Sequence, residues 1–137
     1  METFFKFNPS KKCKKKQTHV HEFLGSVKLA EEEEERHNHR FAGVSSQAIP
    51  INDGSNHVHE LFTSTDFFED HLHEIIQLTG PAIAVSDDKH VHFAQGVTTV
   101  NDDHSHDFVV ATLIESPLTP VVENGLKIGR KLFKKNR

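Results

Sequence analysis

All twelve histidines of this 137-residue chain fall in six His-x-His pairs, and none is left over. The pairs are His19/His21, His37/His39, His57/His59, His71/His73, His90/His92 and His104/His106. The residue after the second histidine is charged in five of the six cases: Glu22, Arg40, Glu60, Glu74 and Asp107, with Phe93 the exception. The next residue is apolar in all six: Phe23, Phe41, Leu61, Ile75, Ala94 and Phe108. Histidines and apolar residue therefore share one parity, and the charged residue has the other. Such alternation is the sign of a strand with one face toward a core and one toward water. A helix would send positions i and i+2 to divergent sides. Turn-forming or acidic clusters precede four of the later pairs: Asn52-Asp53-Gly54, Glu69-Asp70, Ser86-Asp87-Asp88 and Asn101-Asp102-Asp103. Glu31 to Glu35 fills the remaining gap, as a turn or a frayed helical stretch.

A longer period lies over this one. The first, third and fifth pairs read HVH and begin at residues 19, 57 and 90; the others read HNH, HLH and HSH. The spacing predicts tandem units of 33 to 38 residues, each a strand, a turn and a second strand. Such hairpins bury no face alone, but three can close around a shared axis. The expected fold is all-β: a six-stranded antiparallel meander of three tandem hairpin repeats, closing into a pseudo-threefold barrel or a prism-like arrangement. Residues 18–118 form this domain. Residues 1–17 and 119–137 are basic, flexible tails; in the second, Leu126, Ile128, Leu132 and Phe133 suit a short amphipathic helix, against which Gly125 and Gly129 count.

In an up-and-down meander successive strands run in opposite directions, and inward side chains stack in layers from alternate strands. The odd pairs then gather at one end and the even pairs at the other, giving two clusters of six histidines. Same-face imidazoles at i and i+2 can both address one ion. All twelve histidines are thus candidate metal ligands, for Zn, Ni or Cu in the first place and Fe, Co or Mn in the second. Three histidines with an open position would resemble a catalytic zinc site; six would make an octahedral site favouring Ni, Co, Fe or Mn. A second register, with the two pairs of one hairpin facing each other, would give three four-histidine sites but would put Glu31 to Glu35 inside a strand. Without metal, crowded imidazoles cannot all be protonated, so a pH switch is an alternative use of the same clusters.

The rest of the chain mostly excludes. From Thr18 to Leu126 there are nineteen acidic residues against four Lys or Arg, while Lys6 to Lys16 holds six lysines and Lys127 to Arg137 six basic residues. An acidic body repels nucleic acid and draws in cations, so no specific nucleic acid partner is expected; the basic tails leave room for self-association. No apolar run is long enough to span a membrane, and METFFKFNPSKKCKKK reverses the order of a signal peptide, which predicts a cytoplasmic protein. Cys13, alone, can make neither an internal disulfide nor a cysteine-type zinc site; its lysine neighbours favour the thiolate. Phosphate-loop, dinucleotide, zincin and nucleophile-elbow motifs are all missing. Glu22, Glu60, Glu74 and Asp107 belong to the outward parity, so Asp102 and Asp103 are the better acid candidates if there is catalysis. Paired histidines on a strand also resemble the cupins, but the cupin glutamate spacing and glycine-rich motif are absent.

The recurring HVHEF, HNHRF, HVHEL and HSHDF units, with the TG and GVTT segments between them, resemble the YmaF family of small histidine-rich bacterial proteins over roughly residues 18–116. The resemblance implies a bacterial intracellular setting, including a spore-forming one, and transfers no catalytic role to any residue. Ligand excess predicts a transition-metal buffer, store or delivery protein. The alternatives are a metal-linked structural or spore-associated assembly protein, and a small metalloenzyme with a histidine-only site.

Overall fold

The computed structural model describes residues 17–117 together with the backbone of two further short strands. In chain order the strands are β1 (Val20–Ser26), β2 (Arg40–Val44), β3 (Ile49–Ile51), β4 (Asn56–Val58), β5 (Glu60–Ser64) and β6 (Glu74–Leu78). They continue with β7 (Ile83–Ser86), β8 (Lys89–Val91), β9 (Phe93–Val97), β10 (Asp107–Ala111) and β11 (Glu115–Ser116). No α-helix occurs among the described residues, and none is long and apolar enough to cross a membrane. Beyond residue 117, β12 (Val122–Glu123) pairs with β13 (Leu126–Lys127). That short antiparallel pair replaces the start of the expected amphipathic helix; Ile128, Leu132 and Phe133 lie outside the described residues, as do Cys13 and the lysine-rich start.

Three antiparallel hairpins carry the structure: β1–β2, β5–β6 and β9–β10, each paired over five residues. Every one begins just after or within a His-x-His pair and repeats the same register. A smaller arm precedes each odd pair: β3 pairs with β4, β7 with β8, and β11, from the far end of the chain, with the start of β1. Glu115 opposite His21 and Ser116 opposite Val20 thus join the last unit to the first.

The single closed barrel expected from the sequence does not form. Strand order around the axis follows the chain, with β2 beside β5, β6 beside β9 and β10 beside β1, but the ladders fall into separate small sheets. Neighbouring hairpins share only isolated backbone hydrogen bonds, such as Ser46 N–H to Glu60 O and Asp66 N–H to Arg40 O. The reason is local. Where a ladder between hairpins would have to continue, a side-chain oxygen accepts the strand N–H instead: Ser46 Oγ that of Glu60, Thr99 Oγ1 that of Glu74 and Asp66 Oδ1 that of Arg40.

Inside, the parity of the sequence becomes a stack of layers. Phe23, Leu61 and Ala94 come from the odd strands, and Phe41, Ile75 and Phe108 from the even ones; all six are buried, with Val27 and Val110 beside them. Their charged neighbours Glu22, Glu60, Glu74 and Asp107 are exposed. Large residues face small ones across the ladders: Phe23 opposes Gly43, Phe41 opposes Gly25 and Phe108 opposes Gly96. A Cβ on Gly43 would lie 2.8 Å from the tip of the Phe23 ring, which is 1% exposed and has nowhere to go. Gly43→Ala is therefore expected to cost about 1–3 kcal/mol by overpacking, read from the urea midpoint; an unchanged midpoint would show that the ring yields freely.

This apolar core is thin, and histidine layers bound it at both ends. His21, His59 and His92 lie on one side of it and His39, His73 and His106 on the other, all buried.

Candidate metal centres

The odd pairs converge at one end and the even pairs at the other, so each of the three hairpins supplies two histidines to both clusters. In the first cluster His19, His57 and His90 form an outer triangle whose Nε2 atoms are 3.1–3.2 Å apart. His21, His59 and His92 form the inner triangle. Each inner Nε2 reaches one of the outer triangle: His21 to His90 at 3.1 Å, His59 to His19 at 3.2 Å and His92 to His57 at 3.1 Å. The ligand atoms of all six lie within 4.8 Å of one another.

The arrangement of the rings defines a polyhedron. His19 adjoins His21, His57, His59 and His90, and only His92 is opposite it. His21 adjoins His19, His59, His90 and His92, with His57 opposite. The remaining trans pair is His59 and His90. Four near neighbours and one opposite vertex describe an octahedron. Six of its twelve edges measure 3.1–3.2 Å between Nε2 atoms, and a regular octahedron with that edge has its centre about 2.2 Å from a vertex (edge divided by √2), close to first-row metal–imidazole bond lengths.

The even cluster repeats this topology. His37 adjoins His39, His71, His104 and His106, leaving His73 opposite. Nε2 of His39 is 3.2 Å from that of His71, and His104 stands 3.2 Å from His37. Here the tight group comprises His37, His71, His73, His104 and His106, while His39 stands slightly outside it.

What aims these rings is a second set of residues that sequence reasoning passed over. Ser45, Thr65, Thr79, Thr98 and Thr112 are buried, and each follows the second histidine of a pair by six positions. Their hydroxyls accept the backbone N–H of His21, His73, His59, His106 and His92 respectively. Val27 holds the sixth such position and has no hydroxyl to offer; it lies against His39, the ring that stands apart.

The carbonyl just beyond each of these positions fixes a tautomer. Nδ1–H of His21 donates to Leu113 O, His59 to Ser46 O, His92 to Gly80 O, His106 to Lys28 O, His73 to Thr99 O and His39 to Asp66 O, at 2.8–3.1 Å. A carbonyl cannot donate, so the proton sits on Nδ1 and Nε2 keeps its lone pair. His37, His71 and His104 donate in the same way to Glu35 O, Glu69 O and Asp102 O. Every Nε2 of the even cluster is thus an unprotonated donor atom facing others of its kind. Nε2 of His73 and of His106 are fully buried with no hydrogen-bond partner. Second partners that set tautomer and orientation are the usual support of a metal-ligating imidazole.

Burial also keeps these rings neutral. Desolvation, and then the neighbouring histidines, lower His19 to about 4. Desolvation likewise outweighs the backbone hydrogen bonds that favour the charged form, lowering His92 and His106 to about 4 and His59 to about 3. His39, His57, His73 and His90 move the same way, with desolvation the largest cause. Glu115 sits against the odd cluster, accepting the His90 N–H at 3.0 Å; burial opposes its ionisation, but that bond and the nearby histidines hold its carboxyl below the usual range.

A pH prediction follows from these directions. His19, His59, His92 and His106 take up a proton near pH 6.5 when unfolded but resist it until about pH 3–4 when folded. The unfolded state binds more protons in that interval, so the stability is present above about pH 6.5 and lost as pH falls toward 4, by up to about 1.4 kcal/mol per pH unit for each of these four histidines. Metal-free protein is expected to unfold steeply within that window by circular dichroism. A fold that survives at pH 4 without metal would contradict the shifts.

Fold and site together define a class: a threefold-repeated all-β protein with two histidine clusters grouped within metal-binding distance. Residues 16–114 match the YmaF family, described as spore germination protein GerY/YamF, and the chain belongs to that family. No curated protein and no solved structure matches it.

Proposed function

We propose that this protein binds two transition-metal ions, one in each six-histidine cluster, and serves as a metal buffer, store or delivery protein. The observation that carries this reading is the convergence of the histidine rings of each cluster, with 3.1–3.2 Å between six pairs of Nε2 atoms in the odd one. Six lone pairs directed at one point repel each other unless a cation lies between them. His19, His21, His57, His59, His90 and His92 would hold one ion; His37, His39, His71, His73, His104 and His106 the other. Each ion would tie all three hairpins together.

The donor set narrows the metal. Neutral imidazole suits Zn, Cu, Fe and Ni. Structural Zn sites are almost always four-coordinate, and Cu(II) favours tetragonal geometry, whereas each imidazole here has four near neighbours and one opposite. Ni, and after it Fe or Co, therefore fits better than the Zn or Cu that the sequence puts forward beside Ni. Six protein nitrogens leave no position for a substrate, which favours holding a metal over catalysis with it. The germination description of the family favours a spore-associated setting, and with it a second reading in which the ions serve as structural cross-links of a spore component.

Metal content of untagged full-length protein, purified without chelator and measured by inductively coupled plasma mass spectrometry, tests the proposal. Two ions per chain is the expected result. No metal, even after loading with Ni, Co, Fe, Mn and Zn, would overturn it. Sedimentation with and without chelator separates the two roles, because a monomer in both conditions excludes cross-linking between copies.

A further inference from the structure

Among the described residues the two ends of the molecule are chemically unequal. Over the outer triangle of the even cluster opens a cavity of about 450 Å³ walled by Glu31, Glu34, Glu35, Glu69, Asp102 and Asp103. His37, His71 and His104 form its floor. Below that floor lie the Nε2 atoms of His73 and His106, buried, unpartnered and turned into the same cluster.

The carboxylates come from three turns that the pseudo-threefold brings together. Glu69-Asp70 and Asp102-Asp103 are two-residue turns with positive φ at both positions, where Asn-Gly is the usual choice. The first hairpin replaces that turn with a longer acidic loop around Glu33–Glu35, and Glu31 and Glu33 also take positive φ. Two of the walls touch the floor: Glu31 Oε2 is 3.5 Å from His104 Nδ1, and Asp102 Oδ2 is 3.5 Å from His71 Nδ1. At the other end, among the described residues, Glu115 is the carboxylate that reaches the histidines.

We infer that this acidic vestibule is a capture site for hydrated divalent cations and the loading port of the even cluster. The inference rests on the metal-binding reading above. Carboxylate oxygens suit a cation that still carries its water, and imidazole suits one that has shed it. A concave wall of one sign raises the local cation concentration and the association rate by ten- to a thousandfold, an advantage that salt removes. No exchange of atoms beyond water for ligand is required. The even cluster should therefore fill faster than the odd one, and its rate alone should be strongly salt-dependent.

The test is the rate of Co(II) uptake by metal-free full-length protein, followed with a chromophoric competitor in stopped flow at low and high salt. Uptake is expected in two phases, and the faster should survive in the His57→Ala/His59→Ala variant, whose even cluster is intact. Glu34→Gln/Glu35→Gln/Glu69→Gln/Asp103→Asn spares Glu31 and Asp102, the two vestibule carboxylates that touch histidine rings. It should slow the fast phase about tenfold or more and abolish its salt dependence, while the final stoichiometry stays the same. Uptake with an unchanged fast phase would overturn the port but leave the metal sites standing. Should that variant fold poorly, the wild type decides: a fast phase indifferent to salt also overturns the port. No uptake by the wild type would overturn both readings together.

Discussion

Stripped of metal at neutral pH, the protein is expected to melt about 20 °C or more below its loaded form. With free metal a thousandfold above the dissociation constant, each ion adds about 4 kcal/mol to the folded state. In a domain of this size one kcal/mol moves the midpoint by about 4–8 °C. The effect should be large because the apolar core is small: eight buried hydrophobic residues between two histidine layers, with few backbone bonds joining one hairpin to the next. Each metal-linked cluster would supply the inter-hairpin connections that the interrupted ladders lack. Calorimetry before and after dialysis against EDTA checks this, and equal melting points would mean that the histidine layers hold together without an ion.

The second large effect is selective. His57→Ala/His59→Ala removes an outer and an inner vertex of the odd octahedron from a single strand and leaves the even one untouched. Losing two of six ligands is expected to weaken the odd site by at least about a hundredfold, more than the 10- to 100-fold typical when an outer-shell partner is lost. Stoichiometry should fall from two ions to one, with affinity at the even site unchanged. Equal loss at both ends would contradict two independent centres. The apolar layers of Phe23, Leu61, Ala94, Phe41, Ile75 and Phe108 separate the clusters, so no shared side chain should couple them.

Much of this architecture was legible before any coordinates. Strand parity is a local property, so His21, Phe23 and their equivalents could be assigned to the inner face from alternation alone. The antiparallel course then sorted odd pairs from even. Closure does not follow from alternation, because it depends on which groups meet the strand N–H between hairpins, as Ser46, Asp66 and Thr99 do, and the ends of each hairpin's own ladder are equally local. A threonine six residues after a histidine looks like any strand threonine; only its place beside the partner strand's N–H reveals that it replaces a ladder bond. The signal was nonetheless present as a recurring spacing in Ser45, Thr65, Thr79, Thr98 and Thr112, blurred by Val27. The vestibule was invisible for another reason. Glu31, Glu69 and Asp102 are far apart in sequence and read as three unrelated turns until the pseudo-threefold gathers them.

X-ray absorption on the metal-loaded, untagged protein tests the octahedral arrangement most directly. Six nitrogen scatterers at about 2.2 Å, with the outer-shell pattern of imidazole rings, is the expected result. Four nitrogens near 2.0 Å, or a shell rich in carboxylate or water oxygen, would contradict it and return the histidines to some other geometry or some other use.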